Sequence, residues 1–359
     1  MAEPMNESSV NVTENWHEYV KLALTDVPYS SQIIFSVALF IIFVASLIGN
    51  IITCVVIYYD KTMHTATNCY LFNLAVSDLL VTFPILIIIY QLLTQSNELF
   101  QYQKGVFSCN FVLCIHFVFL SVLWNNSIMV MTALSIERYI AICHPMMLKG
   151  TPIWRRVGRI IVLIWTLAIL ETVPEFWMLE VFDTGTTLVC FSRPSYFGKV
   201  VTAVGGVVTF ILPLAIMMFV YTMIAFRIND SNEMYKFRGT VISNGFKRKK
   251  VNKVIVALTI SFVFCWLPFF LLRILMFTVD YEKFAHFHRW WSTAQKLAMF
   301  NSWLPTVLNP LLFSAMSIKF RKSFKKLWEV KLRKRNPRSE KSEATQTQRK
   351  ESTSYYQVE

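Results

Sequence analysis

The chain has 359 residues, of which 55% are hydrophobic, 15% aromatic and only 16% charged. Soluble globular domains carry about 25% charged residues, so this composition excludes a soluble enzyme or binding module and indicates a membrane protein. A net charge of +13 would suit a nucleic-acid-binding protein, but the basic residues recur in alternate connections, which is typical of membrane topology. No nucleic-acid partner is therefore expected.

Seven apolar stretches are each long enough to cross about 30 Å of hydrocarbon, which takes about 20 residues of helix. They are predicted at 32–59, 67–93, 108–141, 155–178, 197–228, 249–278 and 289–315, numbered here as the first to the seventh span. The predicted fold class is an all-α membrane protein, a seven-transmembrane helix bundle over residues 32–317. An odd number of crossings puts the two termini on opposite sides of the membrane.

The distribution of lysine and arginine predicts which side is which. Basic clusters fall near residues 149–159, 247–253 and 321–326, all on one face of the membrane. Cytoplasmic segments are enriched in lysine and arginine, so the C-terminus is predicted to be cytoplasmic and the tail of residues 1–31 extracellular. The predicted N-glycosylation acceptors in that tail are Asn6 and Asn11. The expected location is the plasma membrane.

Three cysteines fall on the predicted extracellular side and suggest one disulfide. A bond between the outer end of the third span and the connection at 179–196 would hold that connection over the mouth of the bundle. Cys190 lies in the connection. Cys109 is its favoured partner because Gly105 gives the turn that enters the helix, and Cys114 is the alternative.

Short motifs recur at definite places along the spans. They are Gly49-Asn50, Leu74-Ala75-Val76-Ser77-Asp78, Glu137-Arg138-Tyr139, Trp165, Pro213 with Tyr221, Cys265-Trp266-Leu267-Pro268 and Asn309-Pro310-Leu311-Leu312-Phe313. In this order, over about residues 32–330, the chain resembles the rhodopsin-like (class A) G protein-coupled receptors. The resemblance implies a receptor without enzymatic activity, so no catalytic residue is predicted. A polytopic transporter is the alternative, but no internal repeat supports it.

The sixth span carries the predicted activation switch. Pro268 removes a backbone hydrogen bond and bends the helix, so that its inner half can swing while its outer half contacts ligand. Trp266 lies at the bend. The resemblance implies that Ile128, Pro213 and Phe262 form the packed contact that rearranges on activation. It assigns four further residues to the switch: Asn309, Pro310, Phe313 and Tyr221.

The inner end of the third span is the predicted G protein contact. Charged residues in a membrane span are costly and are usually functional. The resemblance implies that Glu137 holds Arg138 at rest and that Arg138 extends to the G protein when the sixth span swings outward. Tyr139 completes the motif, and Met146 is the predicted apolar contact with the G protein. Arg248 stands where relatives often carry an acid, so no salt bridge is expected between Arg138 and the sixth span.

Asp78 is a carboxylate inside the second span. The resemblance implies that it holds a sodium ion with Ser127, and the alternative is a neutral Asp78 hydrogen-bonded to Asn50 and Asn309. Pro305 stands where the seventh span usually offers an amide or hydroxyl. The sequence therefore predicts reduced sodium sensitivity and no cofactor or other metal.

The ligand class follows first by exclusion. Amine receptors carry an aspartate where this chain has Leu120, and opsins carry a lysine where it has Trp303. A peptide ligand is favoured because polar and aromatic groups are mixed in the outer half. Residues 67–78 and 309–320 are most similar to the neuromedin U, pyrokinin and capa-type receptors. A different peptide family or a non-peptide ligand is the alternative.

The predicted ligand-binding residues lie in the fourth and sixth spans. Arg273 matches an arginine of that receptor group that is expected to face the ligand, and the alternative is snorkelling to the interface. Glu171 and Glu175 share one helix face and are predicted to receive a basic peptide residue, or alternatively to pair with neighbouring helices. The predicted aromatic contacts are Phe269, Phe270 and Phe277.

The segment after the seventh span predicts two further parts. Residues 318–335 show apolar side chains at helical spacing among lysines and arginines, which is typical of an amphipathic eighth helix on the membrane surface. Residues 336–359 are polar and predicted to be a disordered cytoplasmic tail. Its serines and threonines are expected to be phosphorylated by a receptor kinase and to recruit an arrestin. The resemblance favours coupling to Gq and calcium release.

Overall fold

The computed structural model describes residues 29–94, 109–148, 150, 152–183, 188–192, 195–237, 243–278 and 288–335. The predicted glycosylation acceptors Asn6 and Asn11 and the tail 336–359 lie outside these residues. Four predicted site residues have backbone but not side chains among those described: Cys109, Cys114, Cys190 and Phe277. The disulfide, the glycosylation and the tail modifications therefore stay predictions.

Helices occur at all seven predicted spans. They are Tyr29–Tyr59, Ala66–Thr82 with Pro84–Thr94, Cys109–Cys143, Ile153–Phe176, Tyr196–Gly206 with Leu212–Phe237, Ser243–Thr278, and His288–Trp303 with Pro305–Met316. A further helix, Ile318–Arg335, follows the seventh span and is called helix eight. The fold class predicted from the sequence is confirmed.

The third span forms the centre of the bundle. The helices of the first five spans are long and apolar enough to cross a membrane by themselves, and the sixth contributes the shorter apolar helix Thr259–Leu275. In the third span 72% of the apolar window is buried, against 22% in the fourth. The third span also contacts the second, fourth, fifth and sixth spans. Its side chains are therefore placed to link ligand and effector sites at the two ends.

Prolines interrupt or bend four spans because proline lacks the amide hydrogen that continues the helical ladder. The second span is interrupted just before Pro84 and the seventh just before Pro305. The fifth widens into one π-helical turn over Val207–Ile211, two residues before Pro213. Pro268 lies within the continuous helix of the sixth span. The bundle can bend at these positions, and also at Pro174 in the fourth span and Pro310 in the seventh.

The sequence does not predict one element, an antiparallel hairpin in the connection after the fourth span. Strand β1 is Leu179–Asp183 and strand β2 is Leu188–Ser192, with Val181 opposite Cys190. Leucine, valine and phenylalanine favour such extended pairing, but five residues are too few for a clear periodicity. Both strands contact the third span. The end of the bundle that they cover is called the hairpin end.

The first and seventh spans approach closely at a glycine. A Cβ atom on Gly49 would lie 2.9 Å from Cγ of Pro310, so only glycine fits this contact without a shift. Near the end opposite the hairpin, Phe313 of the seventh span packs edge-to-face on Phe320 of helix eight, with ring centroids 4.9 Å apart. These two contacts fix the seventh span against the first and helix eight against the seventh.

Candidate functional site

A cavity opens in the hairpin half of the bundle, between the third, fourth, fifth and sixth spans. Its empty volume is about 360 Å³, part of which is open to solvent. The structure brings together here five of the six predicted ligand-binding residues: Arg273, Glu171, Glu175, Phe269 and Phe270. Arg273 therefore lies at the cavity, and the alternative placement of its guanidinium at the membrane interface does not apply.

Arg273 and Glu175 form an ion pair across the cavity. Nη2 of Arg273 donates to Oε1 of Glu175, and the side chain of Glu175 is only 9% exposed. The other carboxylate oxygen, Oε2, is buried and has no hydrogen-bond partner among the described residues. These two predicted ligand-binding side chains therefore bind each other, and Oε2 of Glu175 remains an acceptor without a donor among the described residues.

Glu171 lies one helical turn before Glu175 and contacts the third span. Its Oε2 accepts a hydrogen bond from Nδ2 of Asn125, which also donates to the hydroxyl of Thr172 at 3.1 Å. A Cβ on Gly205 of the fifth span would meet Oε1 of Glu171 at 3.4 Å. The small residue at 205 therefore leaves room for the carboxylate beside the cavity.

Two tryptophans, Trp124 and Trp266, form the floor of the cavity, and a third, Trp303, packs against Trp124 outside the lining. Trp124 of the third span contacts Trp266 and Trp303 edge-to-face, with centroids 5.6 Å apart in both pairs. The indole nitrogens of Trp124 and Trp266 are buried without hydrogen-bond partners within the described chain. Trp266 also contacts Phe269 and Phe270 at 6.1 and 6.2 Å. The residue predicted to lie at the bend is thus also part of the cavity floor.

Phe210 of the fifth span bridges the two halves of the sixth span. Its ring stacks on Phe270, beyond Pro268, at 5.0 Å and on Phe262, before Pro268, at 5.7 Å. Phe262 and Ile128, two members of the predicted packed contact, are both 1% exposed and belong to one buried cluster. The third predicted member of that contact is Pro213, which is also buried. Any swing of the inner half must change the Phe210–Phe262 contact.

The bend at Pro268 is tied to the seventh span by Asn301. Proline at 268 leaves the carbonyl of Phe264, four residues earlier, without its helical donor. Nδ2 of Asn301 donates to this carbonyl at 2.7 Å and to the carbonyl of Cys265 at 3.2 Å. The backbone carbonyls next to the proline in one span are thus bound by a side chain of the next.

At the end opposite the hairpin, Glu137 pairs with a different residue from the one expected. Glu137 does not bind Arg138: it accepts from Nη1 and Nη2 of Arg156, in the fourth span, at 2.8 and 2.7 Å. Nε of Arg138 is buried without a partner in the part of the chain that the structure describes. A guanidinium facing a carboxylate with both nitrogens makes a stronger contact than an adjacent residue on the same helix can offer. Met146 is 69% exposed.

Two tyrosines make side-chain hydrogen bonds at the same end of the bundle. The hydroxyl of Tyr221, in the fifth span, is hydrogen-bonded to the hydroxyl of Ser135 in the third. Tyr139 is bonded to the ring of His144 at 3.1 Å. The side chain of Arg248 lies outside those described. The third and fifth spans are thus joined one turn before Arg138.

Asp78 is 1% exposed and accepts a hydrogen bond from Nδ2 of Asn309 at 3.0 Å. Asn50 is placed differently from the expectation for a neutral cluster, because its Nδ2 donates to the carbonyl of Thr306 at 2.8 Å. Ser127 is buried, with no hydrogen bond to Asp78 among described side chains. The hydrogen bond from Asn309 joins the seventh span to the second at this carboxylate.

Four residues at these sites are missed by sequence reasoning: Trp124, Asn125, Phe210 and Asn301. A buried amide in a membrane span is itself a signal, since it must find a partner in hydrocarbon. The two asparagines could have been found in this way. Nothing in the sequence singles out the two aromatic residues among 54 phenylalanines, tyrosines and tryptophans in the chain (30, 14 and 10).

Helices at seven predicted membrane spans, with an aromatic-floored cavity beside a proline-containing sixth span, are typical of a seven-helix membrane receptor. The family description "7 transmembrane receptor (rhodopsin family)" matches residues 49–313. Neuromedin-U receptor 1 of Rattus norvegicus is 32% identical over 321 residues, which cover 79% of this chain and 71% of the relative. The chain belongs to the rhodopsin family of seven-transmembrane receptors.

More distant relatives carry other receptor names. Pyrokinin-1 receptor of Drosophila melanogaster is 26% identical, with 79% of this chain and 77% of the relative covered. Thyrotropin-releasing hormone receptor of Gallus gallus is 27% identical, with 80% and 76% covered. The resemblance seen in the sequence motifs is confirmed. The chain is a multi-pass plasma-membrane receptor and not an enzyme.

Proposed function

We propose that this receptor is activated by an extracellular peptide and signals to a heterotrimeric G protein through outward movement of the sixth span. The observation that carries the proposal is the cavity, whose floor residue Trp266 lies two residues before the bend at Pro268. Relatives named for neuromedin U, pyrokinin and thyrotropin-releasing hormone support a peptide ligand. The hairpin end is then the extracellular end, and the C-terminus is cytoplasmic.

The mechanism is a shift between two arrangements of the bundle. Peptide binding favours the arrangement in which the inner half of the sixth span has moved outward and the Phe210–Phe262 stack has changed. A ligand must bind that arrangement about 5.5 kcal/mol more tightly to take a resting mixture of 1:99 to 99:1. Packed aromatic contacts suit this role because they have discrete arrangements rather than a continuous range.

The opposite end contributes the G protein site. Arg138 has a buried Nε without a partner in the described residues. Because the hydrogen bonds of Glu137 go to Arg156, Arg138 can extend when the sixth span opens. Met146, which is exposed, supplies an apolar contact. Coupling to Gq and calcium release is the favoured output, by the resemblance to the neuromedin U group.

Helix eight and the tail supply the remaining partners. Phe324 and Trp328 stack at 6.2 Å on helix eight and are both exposed large apolar residues, next to basic residues such as Lys325. Such a face binds lipid at the cytoplasmic surface. The serines and threonines of residues 336–359 are the proposed sites for a receptor kinase and an arrestin.

The test uses membranes from cells that express the full chain with G protein heterotrimers. Pools of amidated neuropeptides are added, and guanine-nucleotide exchange is measured for Gq and for other subtypes. Peptide-dependent exchange is expected in the wild type and not in Arg138→Ala. Trp266→Ala is expected to weaken activation without loss of the receptor from the surface.

Surface labelling of each variant is the control. Exchange that is equal in the wild type and in Arg138→Ala would refute the proposed coupling. Absence of exchange with every pool and every heterotrimer, at normal surface expression, would refute the peptide-receptor function. Activation by a non-peptide ligand alone would replace the peptide part of the proposal and leave the coupling in place.

A further inference from the structure

The cavity contains an excess of negative charge. Its charged lining residues among those described are Glu171, Glu175 and Arg273, so two carboxylates face one guanidinium and the formal charge is −1. Ionisable groups inside a membrane bundle are costly unless they are paired. The uncompensated carboxylate therefore favours entry of a cation.

Glu175 supplies a free acceptor for that cation. The residue is 7% exposed, and its Oε1 is occupied by Arg273. Its Oε2 has no donor within the described part of the chain. A buried carboxylate oxygen without a hydrogen bond is destabilising, so a ligand donor that reaches Oε2 when neighbouring side chains move aside gains more than it would on an exposed carboxylate.

We propose that the cavity receives the guanidinium group of one arginine side chain of the peptide, bound between Oε2 of Glu175 and the carboxylate of Glu171. This inference rests on the proposed peptide-receptor function. The two carboxylates are one turn apart on the same helix face, and a planar guanidinium with five donors can bridge them better than a compact ammonium. Trp266 and Phe269 add aromatic faces that attract cations.

The position of the cavity suits one side chain of a longer peptide. The cavity lies in the hairpin half of the bundle, and part of its empty volume of about 360 Å³ is open to solvent. One arginine is therefore expected to reach it while the rest of the peptide lies toward the hairpin end.

Arg273 has the opposite role from the one that the family resemblance implies. Because its guanidinium already binds Glu175, it lowers the negative charge of the site and competes with the incoming cation. Removing its charge makes the site −2, whereas removing either carboxylate makes it 0. The affinity for a cation is therefore expected to be highest without Arg273 and lowest without a glutamate.

The experiment measures binding of N-acetyl-argininamide, which carries one positive charge, to the purified full chain in detergent. N-acetyl-citrullinamide, of nearly the same shape and without the charge, is the control probe. The dissociation constant is read from the rise in thermal unfolding midpoint as the probe is titrated. The expected order of affinity is Arg273→Gln, then wild type, then Glu175→Gln and Glu171→Gln, with steps of at least roughly tenfold, because each changed charge lies in or beside the site.

Glu171→Gln keeps the Glu175–Arg273 pair intact, so the test survives if Glu175→Gln does not fold. Equal shifts with the arginine and citrulline probes, or weaker binding in Arg273→Gln than in the wild type, would overturn the inference. Nucleotide exchange distinguishes this failure from failure of the proposed function. Peptide-driven exchange without probe binding contradicts the arginine site alone, and probe binding without exchange under any peptide pool contradicts the receptor function alone.

Discussion

Replacing Asn301 by alanine removes the link between the bend in the sixth span and the seventh span. The lost bonds are those of 2.7 Å to the carbonyl of Phe264 and 3.2 Å to the carbonyl of Cys265. One hydrogen bond contributes about 0.5–1.5 kcal/mol net, and a polar group left unsatisfied away from water costs about 1–3 kcal/mol. The carbonyl of Phe264 has no helical donor because of Pro268, so we expect a loss of about 1–3 kcal/mol.

The assay is a double-mutant cycle on the thermal unfolding midpoint of the purified chain. Pro268→Ala restores an amide hydrogen four residues after Phe264, and this donor can take the carbonyl that Asn301 now serves. Asn301→Ala is therefore expected to cost less in the Pro268→Ala background, with a coupling energy of about 1 kcal/mol. Ser302→Ala is the matched control, because the hydroxyl of Ser302 donates within its own helix, to Met299 at 2.6 Å.

Equal effects of Asn301→Ala in both backgrounds would refute the idea that Asn301 serves the carbonyl freed by proline. A coupling of the same size for Ser302→Ala would also refute it, because that bond does not join the two spans. This double-mutant cycle tests the contact between Asn301 and the sixth span, and it requires neither a ligand nor a G protein.

Three further outcomes are expected. Arg156→Ala should lower basal nucleotide exchange severalfold, because Glu137 becomes free to hold the neighbouring arginine of its motif; unchanged or higher basal exchange would contradict this. Added sodium should reduce agonist affinity only slightly, and a steep reduction that Asp78→Asn abolishes would contradict the weak sodium site. Gly49→Ala should lower the unfolding midpoint through about 1–3 kcal/mol of overpacking against the proline 2.9 Å away, whereas Gly158→Ala, with nothing within 4 Å of its Cβ, should not.

The features that the sequence predicts well are those written in a local pattern. Span positions follow from hydropathy over about 20 residues, and the missing helical donor to the carbonyl of Phe264 follows from the covalent structure of proline at 268. Five of the six predicted ligand residues also meet in the cavity: Glu171 and Glu175 share a helix face, and Arg273 lies about two turns after Trp266 on the same face of its own helix. Such arguments need no knowledge of which helix is the neighbour.

The features that the sequence does not predict depend on pairings between distant residues. Glu137 is expected to hold its neighbour Arg138, but Arg156 of the fourth span offers two donors in the right geometry. The hydrogen bonds of Asn301 and the two stacks of Phe210 likewise depend on how adjacent spans are rotated. Hydropathy fixes the length of a span and leaves its rotation to packing with neighbours.

The position of Trp266 explains how one small cavity could control a movement at the far end of the bundle. Its ring forms part of the cavity floor and contacts Phe270. Phe270 stacks on Phe210, and Phe210 also stacks on Phe262, on the other side of Pro268. A ligand group that displaces Trp266 must therefore disturb aromatic contacts on both sides of the bend. Each pair of rings contributes about 0.5–1.5 kcal/mol beyond its buried area, so the three contacts together amount to about 1.5–4.5 kcal/mol. A ligand that favours the rearranged bundle must offset this amount through its own tighter binding to that arrangement.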